Sequence, residues 1–389
     1  MHKSPSVGGL KPGWKVWRFE QMATNVNARI DNPSESGMEH YVGLEHLDAD
    51  SLKIRRWGTP DDVEATKLMF KKGDIVFGRR RAYQRKLGVA EFDGICSAHA
   101  MVLRAKPEVV LPDFLPFFMQ SDLFMNRAVE ISVGSLSPTI NWKTMAVQEF
   151  ALPSTEEQQR IVGLLSAVED QSEAARRAFS AAGKLRKSLA LDAFSTFVYP
   201  KIKMGAVADV RNGSTPRRAR DDYWKGSVPW LPTGKVNDRI IKAADEFITE
   251  KALSECPLTL IPAGATLVAM IGEGQTRGRA AMLAIDSCIN QNFGAVVPGS
   301  SLDPWYLFYL LESSYEALRH WSQGTNQHAL SCGLLKSFPI PVPPLAVQKG
   351  LVDQLKEIET TERWLSERLN MTYKMRRAAH LTALSRELA

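Results

Sequence analysis

The sequence predicts an α+β protein. Two similar globular domains of mixed or antiparallel sheet with short helices are joined by two long antiparallel coiled-coil helices, related by a pseudo-twofold. Three observations predict it. The stretch "ALPSTEEQQRIVGLL" (151–165) returns as "PVPPLAVQKGLVDQL" (341–355), with Leu152, Pro153, Gln158, Val162 and Leu165 answering to Val342, Pro343, Gln348, Val352 and Leu355. Paired blocks upstream repeat in the same order at a spacing of about 190 residues, too long for a solenoid. Beyond each repeated stretch, apolar residues recur at alternating steps of four and three.

The elements follow in chain order. The start, "MHKSPSVGGLKPGW", has no apolar core behind its lysine and reads as a flexible tail over 1–13, not a signal peptide. The first globular domain is placed at 14–152, a central spacer helix at 153–198, the second domain at 199–343 and a C-terminal spacer helix at 344–389. "FKKGDIVFGRRRAYQRKLG" (70–88) parallels "IPAGATLVAMIGEGQTRGR" (261–279) and aligns Gly73 with Gly264. "GICSAHAMVLRAKP" (94–107) parallels "DSCINQNFGAVVPG" (286–299) and aligns Cys96 with Cys288. Next come a short aromatic helix ("LPFFMQSDLF", "LFYLLESSYE"), a Gly-led loop ("GSLSPTI", "GTNQHAL"), an apolar strand and the long helix.

The long helices have explicit starts. Ser154 with Glu157 forms a capping box, hydroxyl to backbone N–H and carboxylate back to the cap. Pro343-Pro344 opens the second helix, because proline loses nothing at a first helical position. The first seam reads Ile161, Leu165, Val168, Ser172, Ala175, Phe179, Ala182, Arg186, Leu189, Ala193. The second reads Leu351, Leu355, Ile358, Glu362, Leu365, Leu369, Thr372, Arg376, Ala379, Ala383. Chain order makes a pair antiparallel, each helix roughly 60 Å long if some 40 residues are helical. A register in which residue numbers sum to about 548 puts Arg186 beside Glu362 and Ser172 beside Arg376.

Composition narrows the function classes. Of 389 residues, 44% are hydrophobic and 24% charged, ordinary for a globular protein. No apolar run reaches the roughly 18–20 residues of a bilayer span, so no membrane partner is expected. Four scattered cysteines without a C-x-x-C argue against zinc and disulfides and for a reducing cytoplasm. A formal charge of +6 leans mildly towards an anionic partner. No P-loop, dinucleotide turn, H-E-x-x-H or nuclease D…E-x-K pattern is present. His99 reads as a core histidine, and Asp61-Asp62 as a turn.

A repeated frame with divergent loops suits two unlike readers of a long periodic ligand such as duplex DNA, and predicts an asymmetric two-part target. The loop "RRRAYQRK" holds Arg79, Arg80, Arg81, Tyr83, Arg85 and Lys86; guanidinium forks grip phosphates or guanine edges. Its counterpart "GEGQTRGR" offers Gln275, Thr276, Arg277 and Arg279. "RNGSTPRRAR" adds Arg217 and Arg218, and the Gly-led tips add Ser135, Asn326, Gln327 and His328. One basic run alone is ordinary solvated surface. Polar loops at matching places in both copies point to nucleic acid. Off-seam Val162, Leu164, Phe194, Phe197, Trp364, Met371 and Met375 exceed what a helix pair needs, and suit either the globular domains or partner helices.

On these motifs the chain resembles the specificity subunit of type I restriction–modification systems. "FGRRRAYQRKLGVAEFDGICSAH" and "MIGEGQTRGRAAML…CINQNF" look like that family's target-recognition segments. "PIPVPPLAVQ" resembles its P-P-L-x-E-Q helix entrance, with Val347 where glutamate is usual; the first copy has Ser154-Thr155 for Pro-Leu and keeps Glu157-Gln158. The resemblance implies two target-recognition domains, each reading half of a bipartite DNA site, with a gap set by the helices and no catalysis by this chain. It also implies two methyltransferase (modification) subunits using S-adenosylmethionine, and two restriction/translocase subunits using ATP and magnesium. A related system, with methylation and cleavage fused in one partner chain, would use the same architecture. The competing classes are an enzyme with an unrecognised site and a coiled-coil adaptor without nucleic-acid affinity.

Overall fold

A computed structural model describes residues 10–195, 199–272, 274–321 and 329–384. The chain divides into two compact units, one joining residues up to Arg176 with those from Glu367 onward, the other running Arg177–Ser366. The division falls inside both long helices, Thr155–Ser195 and Leu345–Leu384, not at their ends. The physical reason is that each half-helix packs into the core of one unit. Ile161, Val162, Leu165 and Leu384 belong to the first core, and Ala190, Phe194, Val352 and Leu355 to one in the second.

In the first unit, strands 23–26, 101–105, 75–77 and 87–89 form an antiparallel sheet in that order. A second sheet runs 29–30, 67–70, 94–96, 41–42, its last pair parallel. Strands 15–18 and 149–152 close the domain as an antiparallel ribbon leading into the long helix. The second unit repeats the plan with strands 208–212, 293–298, 266–269, 280–283 and 240–241, a three-stranded sheet 246–248, 224–231, 288–289, and a ribbon of 201–203 with 339–341. The expected aromatic helices are Phe114–Gln120 and Pro304–Ser313. Phe114, Phe118, Tyr306 and Phe308 among their residues are almost wholly buried.

Equivalence extends to single atoms. Gln158 accepts from Leu111 N (2.9 Å) and donates to Val109 O and Pro153 O; Gln348 accepts from Asp303 N (2.8 Å) and donates to Ser301 O and Pro343 O. Both amides are buried, so each satisfies otherwise orphaned backbone groups where the chain enters a helix. Gly73 and Gly264 both have φ +89°, a conformation that favours glycine, as their alignment predicted. The cysteine alignment is corrected by one residue. Cys96 pairs with Val42 as Ile289 pairs with Leu231, so Cys96 corresponds to Ile289 and not to Cys288.

The helices are antiparallel within each unit. In the first, Arg376 pairs with Glu169 at 3.2 Å and Arg176 bonds to the Tyr373 hydroxyl. In the second, Arg186 meets Glu362 at 3.0 Å, as the sequence register required. Arg376 finds its carboxylate one turn before the expected Ser172, whose hydroxyl instead donates to Val168 O at 3.0 Å. All ten seam positions of the second helix are at least partly buried, whereas Phe179 and Ala193 of the first are exposed. The capping box is half formed. The Ser154 hydroxyl accepts from Glu157 N at 3.4 Å, but the Glu157 carboxylate turns to Arg160 at 2.9 Å.

Candidate nucleic-acid interface

In the first unit the loop after strand 75–77 is stitched to the Gly-led tip. Arg81 N donates to Pro138 O (2.7 Å) and Ile140 N to Arg79 O (3.0 Å). Arg81 takes a left-handed φ of 59°, and its guanidinium donates to Ser137 Oγ at 3.2 and 3.3 Å. Arg80 lies 3.1 Å from His99 Nε2, and Arg79 donates to Ala98 O at 3.1 Å. Tyr83 is 53% exposed, and Ser135 lies at an exposed tip beside Leu136. The structure thus gathers Arg79, Arg80, Arg81 and Ser137 with His99 at one edge.

His99 is therefore exposed and not a core residue. Although the residue is exposed, partial desolvation of its ring first, then the Arg80 and Arg79 charges, hold its pKa below the ordinary imidazole value, which favours the neutral ring that can accept from Arg80. Arg85 and Lys86 depart from the sequence expectation. Arg85 meets Asp50 (2.6 Å), Asp122 (2.9 Å) and Gln120 O, and Lys86 Nζ donates to Leu44 O at 2.8 Å. Their cationic heads tie the loop to its own domain.

In the second unit the corresponding loop sits on a cleft of about 720 Å³. Arg279 donates to Asn237 Oδ1 (2.6 Å) and Gln275 Oε1 (3.1 Å), and Tyr315 donates to Gln275 O (3.0 Å). Thr276 is half-buried in this loop. Arg277 is only 5% exposed, which corrects its expected place at the surface: its carbonyl accepts from Arg319 at 3.1 Å within the fold. Arg218 lies over the Trp224 and Trp230 rings, 3.9 and 4.9 Å from their centroids, and pairs with Glu246; Arg217 is exposed beside it. Asn326, Gln327 and His328 lie outside the described residues. Of the residues gathered here, His99 reads from sequence as a core histidine, Ser137 lies in the Gly-led tip already singled out, and Asn237, in the turn 233–238, carries no sequence signal.

Among the helix residues expected to bind partners, Val162 and Phe194 instead fill the cores of their own units, Phe194 edge-on to Tyr306 at 5.5 Å. Leu164, Trp364, Met371 and Met375 are exposed, and Phe197 lies outside the described residues. Among the described residues no group of three His, Cys, Asp or Glu could hold a metal ion, and no helix is long and apolar enough to cross a membrane. The four cysteines are free.

Comparison with known proteins finds one family in both halves of the chain. The family described as the type I restriction modification DNA specificity domain matches residues 38–178 and again 199–370. The chain is similar to the Escherichia coli type I restriction enzyme EcoR124I/EcoR124II specificity subunit, 24% identical over 179 residues, 44% of this chain and 44% of that one. It is also similar to the MjaIX specificity subunit of Methanocaldococcus jannaschii, 31% identical over 158 residues, 39% of this chain and 36% of that one. The matched stretches span less than half the length of these two curated relatives. A solved chain of a type I R-M system shares the fold, with TM-score 0.63 and 21% identity over 97% of this chain and 99% of that one.

Proposed function

The chain belongs to the type I restriction–modification DNA specificity family, and from that premise we propose that it is a DNA-reading subunit without chemistry of its own. Each unit reads one half of an asymmetric bipartite site, and the helices set the gap. The observation that carries this reading is the paired frame with unlike loops. Ile140 N bonds to Arg79 O as Leu330 N bonds to Met270 O (2.9 Å), yet the first loop presents Arg80 and Arg81 beside His99 and Ser137, and the second presents Gln275 beside an Arg279 held by Asn237. One frame holding different donors at one place is what reading two different half-sites requires.

The partners are two methyltransferase subunits, which bring S-adenosylmethionine, and two restriction/translocase subunits, which use ATP and magnesium. Exposed Leu164, Trp364, Met371 and Met375 supply apolar surface for such docking. The test is purified protein titrated with duplexes carrying the bipartite motif found by methylome sequencing of a host with the complete system. Binding is expected to weaken steeply with salt. Methyl transfer is expected only after the modification subunit is added. Turnover by the chain alone, or affinity indifferent to both half-sites, would overturn the reading.

A further inference from the structure

One turn carries the same backbone hydrogen bonds in each unit but different side chains. In the first unit Ser97 N donates to Val42 O (3.1 Å), His99 N to Ser97 Oγ (3.2 Å) and Ala100 N to Ser97 O (2.9 Å). In the second, Asn290 N donates to Leu231 O (3.1 Å), Asn292 N to Asn290 Oδ1 (3.2 Å) and Phe293 N to Asn290 O (3.3 Å). Asn290 thus stands where Ser97 stands, and Gln291 where Ala98 stands. Each turn adjoins its reading loop, through Arg79 to Ala98 O in one case and Met270 N to Asn292 O (2.8 Å) in the other. The first turn therefore lies under guanidinium groups, while the second bears an exposed amide.

That amide is held in place. Gln291 Oε1 accepts the Thr215 hydroxyl at 2.7 Å. Thr215 reaches it because Ser214 N bonds to Ile289 O (3.0 Å) and the backbone at Gly213 passes so close that an added Cβ would lie 1.9 Å from Ile289 O. The turn itself is locked by Asn290, 8% exposed and hydrogen-bonded to Thr233 at 2.9–3.0 Å. Among the described residues the Gln291 N–H₂ has no hydrogen-bond partner, and an oriented carboxamide with that edge and a spare oxygen lone pair matches the N7 and N6–H₂ edge of adenine in the major groove. Guanidinium groups at the corresponding place suit guanine.

We propose that Gln291 is a specificity-determining residue of the second unit, reading an adenine edge, with Thr215 and Asn290 as its positioning residues. This rests on the DNA-reading function above. The experiment takes the motif from the methylome of the complete system, then compares binding of full-length variants to duplexes substituted one base pair at a time. Gln291→Ala is expected to reduce discrimination roughly five- to 150-fold at a single A·T pair of one half-site, leaving the other half-site unchanged. Gln291→Glu is expected to shift preference at that pair towards C·G, because a carboxylate accepts from cytosine N4–H₂. Thr215→Val is expected to weaken discrimination at the same pair.

Unchanged discrimination in both Gln291 variants overturns the assignment while leaving the two-unit reading intact. So does an even loss across several pairs, or a drop in the unfolding midpoint of Gln291→Ala, since either makes the side chain structural. A wild-type chain with no sequence preference at all would instead overturn the DNA-reading function.

Discussion

At the scale of single residues, charge alone is a poor guide to contact. Eight consecutive positions, 79–86, hold five cations, but the fold sorts them. Arg85 and Lys86 turn inward to carboxylates and carbonyls, while Arg80 and Arg81 lie at the edge beside His99 and Ser137. Replacing Arg80 and Arg81 together with alanine is expected to weaken DNA binding and to flatten the salt dependence by about one logarithmic unit per lost phosphate contact. Affinity titrations at several salt concentrations measure this; an unaltered slope would place the phosphates elsewhere. Arg85→Ala is expected instead to lower the unfolding midpoint, because Asp50, Asp122 and Gln120 O lose their shared donor. The buried glutamines at the helix entrances behave similarly. Gln158→Ala leaves one N–H and two carbonyls without their partner, and about 1–3 kcal/mol of stability is expected to be lost, read by denaturant unfolding.

At the scale of elements, the two long helices are joined within the first unit by a buried ion pair. Glu169 and Arg376 are each at most 9% exposed. Arg376→Met would leave Glu169 buried without its cation and is expected to cost about 3–5 kcal/mol, while adding Glu169→Leu is expected to restore much of it. Chemical denaturation of the two variants checks both parts. One turn further on, His380 faces Arg376, Arg85, Asp122 and Asp50, with Phe117 nearby. Burial, and then the Arg376 charge, push its pKa down to about 4 from the ordinary value of 6.5. The unfolded chain therefore binds a proton before the folded one does. Stability is full above about 6.5 and falls as pH drops towards 4. Thermal unfolding against pH is expected to show this decline, and His380→Leu to reduce it; an identical pH profile in the variant would mean that other groups carry the acid sensitivity.

At the scale of the whole molecule, the proposed function requires modularity. Exchanging loop 79–81 and the tip 133–139 for those of a relative is expected to alter one half-site only, read by methylome sequencing. Inserting one heptad in each long helix is expected to lengthen the gap by about 3 base pairs, since seven helical residues add about 10 Å. A gap unchanged by the insertion would mean that the helices do not measure it. Both experiments use the complete system, because the proposed methylation belongs to a partner.

The duplication, the helix entrances and the second seam were legible in the residues themselves. A period near 190, a glutamine in each copy and steps of four and three are local patterns that composition and spacing expose. What a cation touches is not local. Arg277 and Arg279 are two positions apart, yet one is buried and the other reaches Asn237, because the chain turns between them at Gly278, whose φ is +85°; in a strand, residues two apart would share a face. Val162 and Leu164 diverge in the same way on a helix, one in a core and one in solvent. Sequence by itself determined the repeated frame, through periodicity. Only the tertiary structure decided which polar groups remain outward, because that depends on carboxylates and carbonyls brought from distant parts of the chain.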